Sequence, residues 1–316
     1  MFHPACARGG GAMMGRVYHR PEASMTEPAA RVVVCGMRCD FTATVLSALS
    51  GSLAVDLRAV ILAGDGMLFA GQAAAGDITI VTVPDRATLS APSFHDRLRA
   101  LAPDLVVVAC FPWRLPAAFR AIPTHGCLNI HPSPLPDGRG PDPVFWTFRR
   151  DERETGVTVH RLDAGFDTGP ILAQRRVVIP DGATIATLER DLARLGATLL
   201  FDHLPAIRDG SADFVPQGEP AWIAPIPRPD DLVVPTGWGA VRAARFIGAV
   251  ADAWGPLPVL VEGTGQRLAV REVVAIEAGD GATPPVRIDG NLARIRFADG
   301  VLTCRVAAPV VPLRFR

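Results

Sequence analysis

Asn129 and His131 stand two residues apart in the short apolar run Leu128-Asn-Ile-His131. Side chains alternate along a strand, so both emerge on the same face. An Asn amide is a donor suited to a developing oxyanion. An imidazole can give or take a proton near neutral pH. A Gly- and Asp-rich stretch further along supplies Asp163 and Asp167. A carboxylate beside an imidazole orients the ring and favours its protonated form. Together these are the parts of an acyl transfer to an amine: a carbonyl is attacked, negative charge grows on its oxygen, and protons are moved. The same residue types often do no more than satisfy loop backbone, so the surrounding pattern must decide.

That pattern is an α/β alternation. Buried strand-like runs are expected at Arg31–Gly36, Leu57–Gly64, Ile78–Val83 and Leu105–Phe111, with helices over about 41–49 and 93–101. The run Leu105-Val-Val-Val-Ala-Cys-Phe111 is apolar throughout, the mark of a central strand covered on both faces. A Rossmann-like, doubly wound, mostly parallel sheet follows. Its ligands bind beyond the carboxyl ends of the strands, and the short strand at 128–131 carries Asn129 and His131 to such an end. No G-x-G-x-x-G follows the first strand, where the residues are Cys35-Gly-Met-Arg-Cys-Asp40, so a dinucleotide-binding dehydrogenase is poorly supported. After the strand, Pro132, Pro134 and Pro136 at alternate positions hold the chain extended. A helical segment is expected at 144–150, a strand at 157–162, and a long helix whose stripe is Ile185, Leu188, Leu192, Leu195 and Leu199.

The stretch Leu128-Asn-Ile-His-Pro-Ser-Pro-Leu-Pro-Asp-Gly-Arg-Gly140, with Gly156-Val-Thr-Val-His-Arg-Leu-Asp-Ala-Gly-Phe-Asp-Thr-Gly-Pro-Ile171, closely resembles the folate-dependent formyltransferases. The resemblance covers about 31–210 and is specific at these two blocks. It implies a catalytic triad of Asn129, His131 and Asp167. In that role Asn129 donates to the formyl oxygen, His131 stabilises the charge or shuttles the amine's proton, and Asp167 holds and tunes His131. It implies 10-formyltetrahydrofolate as co-substrate and no metal. The folate contacts it implies are Phe111, Trp113, Leu115, Ser133, Pro134, Leu135, Pro136 and Asp163. Pro134 stands where the family has a Leu, which removes one backbone N–H from that loop. His160 is read either as a support to the site or as a satisfied strand histidine. Arg114 and Arg139 are read as solvated loop residues, with a folate tail or substrate phosphate as the alternative.

The expected organisation is a tail over 1–29, disordered or upstream of a start at Met25, and a catalytic domain over 30–210. A Pro-rich linker over 211–235 and a β-rich domain over 236–316, resembling a small OB-like barrel, complete it. Such a second domain, with Glu154-Thr-Gly-Val-Thr-Val159, favours the branch that formylates initiator Met-tRNA. Against it stands the segment 64–77, short and without Arg, where that branch carries a long basic insertion. The alternatives are an N-formyltransferase for a small amine, such as a nucleotide-linked amino sugar, and a formyltetrahydrofolate hydrolase in which water replaces the amine.

The 316 residues carry 32 basic and 32 acidic side chains, and the basic ones are all Arg. Zero net charge gives no global attraction to DNA or an anionic membrane. No apolar run reaches spanning length and the first 30 residues hold no secretory h-region, so a cytoplasmic setting is expected. Of the six cysteines, Cys110 and Cys127 read as buried free thiols, and no second pair completes a zinc set around Cys35 and Cys39.

Overall fold

The computed structural model describes residues 28–64, 78–279 and 283–307. The expected tail (apart from residues 28 and 29) and nearly all of the Arg-free segment 64–77 lie outside the described residues. Seven strands form the first sheet: β1 (Ala30–Gly36), β2 (Val55–Ala63), β3 (Thr79–Val83), β4 (Leu105–Ala109), β5 (Cys127–His131), β6 (Glu154–Arg161) and β7 (Ile171–Val178). Their spatial order is β3-β2-β1-β4-β5-β6-β7. The first five are parallel, and β6 and β7 are added antiparallel at one edge. Strand order reverses at β1, so the carboxyl ends of β1 and β4 flank the switch-point crevice.

Alternation divides the central strands between two cores. Val32, Val34, Leu128, Ile130, Val157 and Val159 face α1 (Asp40–Ser50) and α6 (Ile185–Asp209). Val33, Cys35, Val106, Val108 and Cys127 pack with Leu89, Phe94, Leu98 and Phe119 of α2 (Arg86–Ser90), α3 (Pro92–Ala100) and α4 (Ala117–Arg120). The helix α6 begins at a Thr184–Thr187 capping box and buries Ile185, Leu188, Leu192 and Leu199, four of the five stripe positions, while Leu195 is half-buried. Its Gly196 sits where a Cβ would come within 2.2 Å of Ile130 Cγ2, so the helix approaches β5 only without a side chain there.

The second sheet runs β11-β12-β13-β10-β9-β8. Its strands are β8 (Val234–Pro235), β9 (Leu257–Val261), β10 (Gln266–Ala278), β11 (Val286–Asp289), β12 (Leu292–Arg296) and β13 (Gly300–Val306). Ladders are antiparallel except β8 with β9, and among the described residues no ladder joins β11 to β8. A helix, α7 (Ala240–Trp254), fixes this sheet to the first domain. Phe145 of α5 (Pro143–Arg149) lies 5.8 Å from Phe246 and 5.6 Å from Trp254, ring to ring. The Arg149 and Arg242 guanidiniums sit over Trp238 at 4.5 and 3.9 Å, and Arg245 pairs with Asp151. No helix among the described residues is long and apolar enough to cross a membrane.

Candidate active site

The polar face of β5 meets the polar face of β6. Asn129 pairs with His160 and His131 with Thr158 across the antiparallel ladder, so all four side chains point to one side. They lie on the face opposite Leu128, Ile130, Val157 and Val159. All four are buried, and His160 is fully enclosed.

Asp167 reaches this group from the loop after β6. Its φ of +56° is in the left-handed region, which few non-glycine residues adopt. The turn is crowded: a Cβ on Gly169 would come within 1.8 Å of Arg161 O, so only glycine fits two residues beyond. Asp167 Oδ2 accepts from Gly140 N–H at 2.9 Å, and Oδ1 accepts from Asn129 Nδ2 at 3.2 Å. The same Oδ1 lies 3.6 Å from His131 Nδ1 and 3.6 Å from His160 Nε2. Burial opposes the charged carboxylate, but His131, His160 and the Gly140 N–H outweigh it and hold the pKa well below the usual carboxylate range.

The tautomers follow from fixed acceptors. His131 Nε2 is 3.0 Å from the Gly138 carbonyl, which only accepts, so Nε2 carries a proton and Nδ1 is left facing Asp167. Burial lowers the pKa of His131 below the ordinary imidazole value, and Asp167 opposes this without overcoming it. His160 Nδ1 lies 3.1 Å from Arg161 O, a pure acceptor, and its Nε2 lies 3.1 Å from Asn129 Nδ2. The three separations around Asn129 Nδ2 close a triangle with an angle there of about 70°, far below the ~120° between the two N–H bonds of a planar amide. Asn129 Nδ2 is therefore held by His160 and Asp167 together, and His160 contacts the site through Asn129.

The expected co-substrate residues fall on three loops around this centre. Phe111 and Trp113 are half-buried and meet edge to face at 5.7 Å; Leu115 is buried beneath them. Ser133, Pro134 and Leu135 are buried, and Leu135-Pro136 is a cis peptide. Ser133 Oγ donates to Asp137 O, Leu135 N–H donates to Thr158 Oγ1, and Gln174 Nε2 donates to Leu135 O. The polar groups of this loop thus bond within the protein. Asp163 Oδ1 accepts from Gly165 N–H and Thr168 Oγ1, closing the Asp167 loop on itself.

Two loop arginines, Arg114 exposed and Arg139 half-buried, tie loops together. Arg114 donates to Ala164 O and stacks on Phe166, tying the 111–115 loop to the Asp167 loop. Arg139 donates to Gln217 Oε1 at 2.9 Å, and Gln217 Nε2 donates to Asp167 O, also at 2.9 Å, and to Gly169 O. Gln217 belongs to the Pro-rich segment, which runs across the site as a strap. Val215 bridges Ile171, Ala221 N–H donates to Asp137 Oδ1, and Ala224 pairs with Arg139. Gly140, at φ +124°, leaves no room for a Cβ, which would lie 2.4 Å from Ala224 O. The strap's contacts are long-range, and only its prolines are conspicuous in the sequence.

This arrangement has a known counterpart. A family model described as Formyl transferase matches residues 30–204. The chain belongs to the formyl transferase family. It is 36% identical over 203 residues to a methionyl-tRNA formyltransferase of Myxococcus xanthus, a match spanning 64% of each chain. It is 34% identical over 221 residues to a methionyl-tRNA formyltransferase of Xanthomonas campestris, spanning 69% of this formyl transferase and 71% of that protein. The first curated relatives it matches are therefore covered over less than two thirds of their length, 64%, 42% and 45%. Among solved structures, an N-formyltransferase from Helicobacter canadensis, complexed with folinic acid and dTDP-3-aminofucose, superposes with a TM-score of 0.60 at 14% identity. That superposition covers 88% of this chain and 100% of the other, so the shared fold includes the second sheet. Among the described residues no group of three or more His, Cys, Asp or Glu is placed to hold a metal ion.

Proposed function

We propose that this formyl transferase moves the formyl group of 10-formyltetrahydrofolate to the amino group of initiator Met-tRNA. The observation that carries the reading is Asp167 Oδ1, which accepts from Asn129 Nδ2 and faces His131 Nδ1. The amine nitrogen attacks the formyl carbon, and charge growing on the formyl oxygen is met by the Asn129 amide. His131, neutral in the resting site, takes the amine's proton at Nδ1, and Asp167 stabilises the imidazolium that forms. The proton then passes to the departing folate nitrogen. Phe111, Trp113 and Leu115, Ser133–Pro136, and the Asp163–Thr168 loop wall the folate through shape and main chain.

The acceptor is supported by the two curated relatives, both named for methionyl-tRNA. A small amine, such as a nucleotide-linked amino sugar, is the second reading, favoured by the absence of Arg from residues 64–77. The test is formyl transfer from 10-formyltetrahydrofolate to charged initiator Met-tRNA, with a no-acceptor control. Formylated Met-tRNA with little formate in the control supports the assignment. Equal folate turnover in the control shows a hydrolase, and turnover only with amino sugars selects the second reading.

Gln217 holds the backbone of Asp167 from the strap, so Gln217→Ala is expected to lower kcat about 10-fold while changing KM less than about twofold, the signature of misplacement rather than lost binding. A change confined to KM, in steady-state kinetics on the folded variant, shows that the strap acts on substrate binding instead.

A further inference from the structure

Cys110 is exposed, not the buried thiol its apolar neighbours imply, because β4 stops at Ala109 and Cys110 turns to φ +59°. It stands two positions beyond Val108, which pairs with Asn129 in the neighbouring strand. Cys39 sits across the switch point as the N-cap of α1 and accepts from Thr42 N–H at 3.5 Å. Thr42 draws the two together: its Oγ1 is 3.3 Å from Cys39 Sγ and donates to Ala109 O at 2.8 Å. A Cβ on Gly36 would collide with Thr42 and Ala109 O, so the glycine permits this close approach. Cys39 Sγ and the carbonyl just before Cys110 thus meet on one hydroxyl, which makes the two cysteines neighbours across the switch point. Cys35, by contrast, faces Cys127 in the core, so the two cysteines of the C-x3-C spacing go to different partners.

We propose that Cys39 and Cys110 form a peroxide-reactive dithiol, with Cys39 the attacking thiolate and Cys110 the resolving thiol. The Cys39 sulfur attacks one oxygen of hydrogen peroxide, the O–O bond breaks, and hydroxide leaves a sulfenic acid. The Cys110 sulfur then attacks the sulfenic sulfur. The S–S bond forms, the S–O bond breaks, and the Cys110 proton leaves with the hydroxyl as water. A dithiol reductant reverses it. The chemistry of the pair fits the roles. The neighbouring Cys110 thiol, with the hydrogen bonds from Thr42, outweighs burial and brings Cys39 down to about 6, as a helix N-terminus does for a reactive thiol. Cys39 in turn pushes Cys110 well above the ordinary thiol, and the nearby carboxylates of Glu189 and Asp142 add to this. Cys127 and Cys304 are both pushed up to about 12 by burial and serve as unreactive internal controls. The crosslink would fix the base of the loop that begins at Phe111.

The test uses the full chain with Cys6, which lies outside the described residues, replaced by Ser. Hydrogen peroxide is expected to yield a single crosslinked peptide containing Cys39 and Cys110, with both thiols restored by dithiothreitol. Alkylation of Cys39 by iodoacetamide should be half-maximal near pH 6 and, at pH 7, roughly 10-fold or more faster than at Cys127. In Cys110→Ser, Cys39 should stop at the sulfenic acid and be trapped by dimedone, which also serves if Cys39→Ser fails to fold. No Cys39–Cys110 peptide from folded protein in excess peroxide overturns the proposal, and so does the absence of a dimedone adduct in Cys110→Ser.

Discussion

His131→Ala is expected to lower kcat by more than about 100-fold, the contribution of a positioned acid or base, with KM for the folate nearly unchanged. His131 is buried and donates at Nε2 to Gly138 O, so its removal leaves Nδ1's place opposite Asp167 empty and one loop carbonyl unpaired. The pH profile distinguishes a base from a passive donor. Burial places the pKa of His131 below its ordinary value, so the neutral, proton-accepting form already prevails at pH 7. Turnover of the wild type should therefore hold from neutral pH down past the ordinary imidazole pKa of about 6.5, and fall only below it. The variant should lose that acid limb. A loss smaller than about tenfold in a folded His131→Ala would move the burden to the Asn129 amide.

The site was legible because its chemistry sits on short-range pattern. Asn129 and His131 show their shared face by spacing alone, and the resemblance over 156–171 singles out Asp167. The parallel strands β1 and β4 show themselves as apolar runs because both faces are covered. The edge strand β7 does not, since Gln174, Arg175 and Arg176 lie in its middle and one edge of it is unpaired in the sheet. The strap over 215–224 is equally silent, because its bonds to Asp137, Arg139 and Asp167 join residues 50 to 85 positions apart. Cys110 was misread for a related reason: a run of apolar letters does not show that its last residues turn out of the sheet. Arg114 and Arg139 looked like solvated loop residues because the loops they tie meet only in the folded chain.

Asp167→Asn is expected to leave the fold intact and lower kcat by at least about 100-fold, since the imidazolium formed at His131 loses its charge partner. The substitution is nearly isosteric, and an amide oxygen can still accept from Gly140 N–H. At the other oxygen's position an amide NH2 would face Asn129 Nδ2, donor against donor. Stability supplies a second reading of the same change. The pKa of Asp167 is depressed on folding, so its ionised form contributes stability fully present above the unfolded value of about 4 and lost as pH falls toward the folded one. The Tm difference between wild type and Asp167→Asn should accordingly be largest near pH 7 and narrow as pH drops below about 4. A difference independent of pH would show that the carboxylate's charge is not what the site holds. The double variant His131→Ala with Asp167→Asn separates partnership from coincidence. If Asp167 acts through His131, the double variant is no slower than His131→Ala alone, because groups that work as a unit are not additive. Losses that multiply would mean that Asp167 also acts by a separate route, through its hold on Asn129.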